Sequence, residues 1–208
     1  MSYRYLLLVR FILINAVSAA IAVAVYLQGW LNGMFVANTI EFVLLIMAVF
    51  AYGLIVCAVK VWRTCMELND IRSGAPAPDS RAGKYFATIY NKNEESRSIG
   101  ATVLRAKLTN RITGVRQIAN TLVLLGLIGT VVGFIMSLSA VDPSAGSDTD
   151  AIAPAIAQLI GGMSVALYTT LVGSVLHIWL IVNHRILTTG TINLYSAIVE
   201  LGENRGRT

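Results

Sequence analysis

Apolar residues in this chain collect into four runs, 11–27, 42–59, 118–138 and 160–182, separated by stretches where polar and charged residues return. Each run meets the roughly 17 to 25 residues that a helix needs to cross the hydrocarbon of a bilayer. The first is the shortest and contains Asn15 and Ser18. With Arg4 and Arg10 before it and small residues at 18–20, it has the layout of a signal peptide as well, and we expect it to be kept as a span.

The third and fourth runs carry a second pattern. At about 100° per residue, Gly126, Gly129, Thr130, Gly133 and Ser137 fall on one side of a helix, while Leu, Val, Ile and Phe cover the rest. That side calls for a close helical neighbour or a narrow polar passage. In the fourth run Thr170, Gly173, Ser174 and His177 share a face by the same arithmetic, so the two helices side by side would form a hydroxyl-rich seam.

Composition agrees with the periodicity. The 208 residues are 56% hydrophobic and 13% charged, and the mean hydropathy is +0.69, values of an all-α, polytopic membrane protein. All 16 lysines and arginines lie before the first run, between Lys60 and Arg116, or from Arg185 onward. The segments 28–39 and 139–159 have none, and the second carries Asp142, Asp148 and Asp150. By the positive-inside rule both termini and the central segment are cytoplasmic and two short loops lie outside. The net charge of +5 is thus distributed as membrane insertion requires; without an aromatic platform it does not indicate nucleic-acid binding.

Four regions follow: an N-terminal transmembrane hairpin at 1–59, a basic cytoplasmic helical hairpin at 60–117, a transmembrane pair at 118–184 and a cytoplasmic tail at 185–208. Within the second, GAPAPDS at 74–80 breaks the helix, and Asp79 or Ser80 can cap the next one. No Gly-Pro break separates Leu104 from Ile118, so the second arm and the third span are expected to form one rod extending into the cytoplasm. In the tail, Leu187, Thr191, Leu194, Ile198 and Leu201 are spaced four, three, four and three, a seam that points to self-association or to folding back on the hairpin. The outer segment DPSAGSDTDAIAP lacks periodicity and is expected to be a mobile loop.

No soluble-enzyme constellation is present: there is no phosphate-binding glycine loop, no HExxH and no GxSxG. Cys57 and Cys65 would be about 12 Å apart on a continuous helix, too far for a disulfide, and neither has a metal-ligand neighbour. No metal or cofactor is expected. Glu41 stands at the outer edge of the second span, and Asn183 and His184 at the inner boundary of the fourth.

The wording GLIGTVVGFIMSL at 126–138, followed by APAIAQLIGGMSVALYTTLVGSVL at 153–176, resembles the paired signature of the MotA/TolQ/ExbB proton channel family. The resemblance covers about 118–184; the first half matches in layout, with two spans ahead of the cytoplasmic segment as in MotA. It implies a bacterial inner-membrane homo-pentamer around two copies of a single-span partner of the MotB/TolR/ExbD type, whose span carries an ion-binding aspartate. Thr130 and Thr170 match the family's threonines. Leu122, Val123 and Leu124 stand where TolQ and ExbB have a proline, and Val165 where they have a glutamate.

An intramembrane acid is expensive, on the order of 3 kcal/mol for a central Asp, and marks a proton path where it occurs. The third and fourth runs contain no Asp, Glu, Lys or Arg, so this chain offers hydroxyls and the carboxylate has to come from a partner. The expectation is a non-enzymatic, ion-driven motor or stator subunit, with Thr130, Thr170, Ser137, Ser174 and His177 along the ion path. Gly126, Gly129, Gly133 and Gly173 would serve close packing or the partner interface. The alternatives are a non-conducting scaffold of the same fold and a self-contained small channel or transporter.

Overall fold

The structure, a computed structural model, describes residues 6–29, 40–72, 80–89, 94–139 and 149–206. These residues are helical throughout, apart from short turns: α1 (Leu6–Leu27), α2 (Ile40–Arg72), α3 (Arg81–Ile89), α4 (Glu94–Leu138) and α5 (Thr149–Gly206). Four of the helices are long and apolar enough to cross a membrane. With 33, 45 and 58 residues, α2, α4 and α5 far exceed the 20 or so residues a crossing takes.

Local chemistry accounts for the ends. Beyond Leu27, Gln28 N–H donates to Ala24 O at 3.1 Å and Gly29 N–H to Tyr26 O at 3.0 Å. Gly29 itself takes φ 75°, the left-handed conformation that closes a helix and that glycine adopts without a β-carbon clash. At the start of α3 the Ser80 hydroxyl accepts from Gly83 N–H at 3.1 Å, the N-cap expected from sequence.

The second arm of the hairpin carries α3, described to Ile89, and α4, described from Glu94; residues 90–93 lie outside the described residues. Two expectations change. The segment read as a loop to residue 159 is already helix from Thr149, with Pro154 inside α5. So close to the helix start, proline forfeits one backbone bond while the alanines and isoleucines around it favour helix. The other loop residues of that segment, at 140–148, lie outside the described residues, as do 30–39 and 73–79.

The second change concerns the tail. Its seam packs within the chain, which removes the reason to read it as a self-association surface. Leu194 and Ile198 are fully buried with Ile71, Ala82, Tyr85 and Leu108, and Leu68, Phe86, Leu104 and Leu201 pack around them. Each fully buried leucine or isoleucine here contributes about 1.5–3 kcal/mol.

The chain packs as two compact units. The first comprises Met1–Ala16, Leu54–Arg116 and Val182–Thr208, and the second Val17–Gly53 and Gln117–Ile181. The tail core belongs to the first, where Gly190 receives the Leu7 side chain and the side chains of Cys57 and Cys65 are buried. In the second, Gly53 receives Leu180 and Ile118, and the rings of Phe50 and Trp179 meet at 5.1 Å and 57°. None of the residues of α1 is buried, so its apolar surface is left for lipid or another chain.

Candidate functional site

Within the second unit the small-residue stripe of α4 lies against a matching stripe of α5. A β-carbon on Gly133 would sit 2.6 Å from Ala166 N and 2.7 Å from Gly162 O, and one on Gly173 2.7 Å from Leu122 O. One on Gly126 would meet Thr169 O at 3.1 Å, and one on Gly129 would collide with the Thr169 side chain. The two backbones therefore touch, a geometry that only glycine permits at these positions. The stripe thus meets a close helical neighbour, one of the two alternatives open in the sequence.

Hydroxyls and one imidazole tie the same seam. Thr170 Oγ1 donates to Gly126 O at 3.1 Å, Ser137 Oγ to Leu159 O at 2.9 Å, and His177 Nδ1–H to Ala119 O at 2.8 Å. Because a carbonyl only accepts, His177 Nδ1 carries the proton of this bond. Ser174 is half-buried on the same helix.

Thr130 behaves differently. Its Oγ1 donates to Leu127 O of its own helix at 2.6 Å, the bond a threonine makes when no neighbour claims it. The side chain borders an open groove of about 490 Å³ lined also by Val131, Phe134 and Ile135 of α4 and by Met163 and Leu167 of α5. Thr170 and Thr130 thus face different surroundings: one bridges the seam, the other lies at an otherwise apolar groove.

Sequence reasoning missed Thr169. It is 0% exposed, donates to Val165 O at 3.0 Å, and fills the space in front of Gly129. The signal was the spacing Gly162, Ala166, Thr169, Gly173, a small-residue stripe with steps of four, three and four. Val165, at the family's glutamate position, is buried, and Leu122, at its proline region, is buried beside Gly173.

A helical, multi-pass membrane protein with a glycine-packed, hydroxyl-bridged helix pair is what fold and seam define. Residues 88–198 match the model of the MotA/TolQ/ExbB proton channel family, and the chain belongs to that family. The match extends past 118–184 on both sides, over all of α4 and most of α5. Members are channel and energy-transduction subunits that act in complexes with partner proteins. Comparisons with curated proteins and with solved structures find no match.

Proposed function

We propose that the protein is the channel-forming subunit of an inner-membrane motor that couples proton flow to mechanical work. Copies of the chain, five by analogy with the family, surround two copies of a single-span partner that carries an aspartate. The termini, the 60–117 segment and the tail lie in the cytoplasm, as the distribution of basic residues favours.

The observation that carries this reading is the chemistry of the helix pair. Its apolar segments, 118–138 and 160–182, hold no Asp, Glu, Lys or Arg, while a threonine borders an open apolar groove beside a rigid seam. A rigid wall with a hydroxyl suits a neighbouring carboxylate that alternates between charged and neutral forms: Thr130 can donate to the carboxylate and accept from the carboxylic acid. Thr170, Ser137, Ser174 and His177 complete the path from the seam, and Gly126, Gly129, Gly133 and Gly173 keep the wall stiff. Each proton crossing 100 mV delivers about 2.3 kcal/mol, so a few passages per step suffice for mechanical work.

Proton uptake into proteoliposomes tests this. The chain together with its single-span partner should acidify the lumen under an imposed potential, the chain alone should not, and Thr130→Val should lower the flux at least tenfold. The tight seam and Val165 favour one second reading, a non-conducting scaffold. An assembled complex that passes no protons would establish it in place of the motor.

A further inference from the structure

In the first unit, four cationic side chains meet around one cavity. Lys60, Arg63, Arg81 and Arg111 line a space of about 270 Å³ whose floor includes Leu108 and the buried Thr64. Among the described residues a single ion pair belongs to this cluster, Arg81 Nε to Glu67 Oε1 at 3.2 Å. Lys60 Nζ donates to the carbonyl of Arg111, which draws a second cation toward the first. The other Glu67 oxygen is buried without a hydrogen-bond partner. Burial, and after it the charges of Arg111 and Arg63, hold the Arg81 guanidinium below its ordinary range against the pull of Glu67.

Gathering four positive groups around one carboxylate costs free energy that an anion would offset. Guanidinium groups present forked donors that match the oxygens of a phosphate. Among the described residues no aromatic side chain lines the cavity, so none of them offers a nucleotide base a stacking surface.

Position along the chain indicates where the phosphate comes from. Lys60 is the first residue after the apolar run 42–59, and Arg63 follows by one helical turn. Arg111 precedes the run beginning at 118 by about 10 Å of helix. Lys60 and Arg63 stand at the depth of the phospholipid head groups, a layer about 5–8 Å thick on each side of the hydrocarbon core, and Arg111 stands at its outer edge. A head group there would have its phosphate among the arginines, with its acyl chains reaching back into the bilayer.

We propose that the cavity bounded by Lys60, Arg63, Arg81 and Arg111 is a binding site for a phosphate group, supplied by an anionic phospholipid of the cytoplasmic leaflet. The inference needs only the orientation of the chain in the membrane and stands apart from ion conduction.

The test is the melting temperature of the full-length chain in a neutral detergent, titrated with phosphatidylglycerol, phosphatidylcholine or inorganic phosphate. Phosphatidylglycerol should raise it well above the effect of phosphatidylcholine. Arg63→Gln and Arg111→Gln should each weaken the half-saturation by about tenfold, while Arg105→Gln, an exposed basic position outside the cavity, should leave it unchanged. Relief of repulsion should keep the lipid-free melting temperature of the Arg63→Gln, Arg111→Gln double variant at or above that of the parent, so lost lipid response is separable from lost folding. Protection by inorganic phosphate alone would keep the phosphate site and reject the lipid as its source. Equal protection of parent and double variant, or protection by neither phospholipid nor phosphate, would overturn the site.

Discussion

The carboxamides of Asn15 and Asn183 bond to each other in both directions, Asn15 Nδ2 to Asn183 Oδ1 at 2.7 Å and Asn183 Nδ2 to Asn15 Oδ1 at 3.2 Å. Asn183 is fully buried, and Asn15 donates as well to Phe11 O at 2.8 Å. In α1, where no residue is buried, this pair is a specific tether to α5. Asn183→Leu should therefore destabilise the protein by about 1–2 kcal/mol, because it removes both bonds between the carboxamides and leaves Asn15 facing an apolar side chain. The double variant Asn15→Leu, Asn183→Leu should recover most of that loss, and unfolding in mixed micelles, run as a double-mutant cycle, measures it.

Close packing of α4 on α5 makes a position-specific demand. Gly133→Ala should cost about 1–3 kcal/mol, since its β-carbon meets backbone atoms of Ala166 and Gly162 that cannot rotate away. Gly161→Ala, with nothing within 4 Å, should leave thermal stability unchanged or slightly raised. Equal melting temperatures for the two variants would mean that α4 and α5 do not touch along this stripe.

Residues that recur with a helical period are legible in the sequence, and residues defined by a tertiary partner are not. The glycine stripe at 126, 129 and 133 names its own face, and Asp79 and Ser80 together mark a helix start, of which Ser80 is the cap in the fold. The pairing of Asn15 with Asn183 is hidden, because each reads alone as a polar residue near the end of an apolar run and 168 positions separate them. The tail seam shows its spacing and leaves its occupant open: self-association and folding back predict the same steps of three and four, and contacts from α2, α3 and α4 decide between them. In the candidate site, Thr170 and Thr130 look equivalent in sequence. They differ in the fold because Gly126 offers a carbonyl to one and nothing on α5 claims the other.

The tail core should carry much of the first unit's stability. Leu194→Ala removes a side chain that is 0% exposed, with an expected loss of about 2–5 kcal/mol in urea or thermal unfolding. Ile192→Ala, at an exposed position two residues earlier, should change stability by less than about 0.5 kcal/mol.

Two titrating groups outside the membrane runs act in opposite directions. Burial first, then the charges of Arg116 and Lys60, holds the His184 imidazole below its ordinary value of 6.5 against a hydrogen bond at Ile112. The unfolded chain then takes up the proton first, so stability is full above about pH 6.5 and declines as pH falls below it. Burial raises the Glu67 carboxyl above its ordinary 4.5, with Asp70 adding and Arg81, Arg111 and Arg63 opposing. Its contribution is present below that value and is lost as pH rises through the raised one. His184→Gln should flatten the stability profile below pH 6.5, and Glu67→Gln should flatten the region just above pH 4.5.

The central claim is that the acid of the ion path belongs to a second protein held against the α4–α5 wall. Single-particle imaging of the complex purified with its single-span partner tests it most directly. The account predicts several copies of the chain, five by family analogy, around partner spans whose carboxylate lies level with Thr130. Particles whose centre is closed by apolar side chains of this chain, with Thr130 turned to the lipid and no partner density inside, would contradict it.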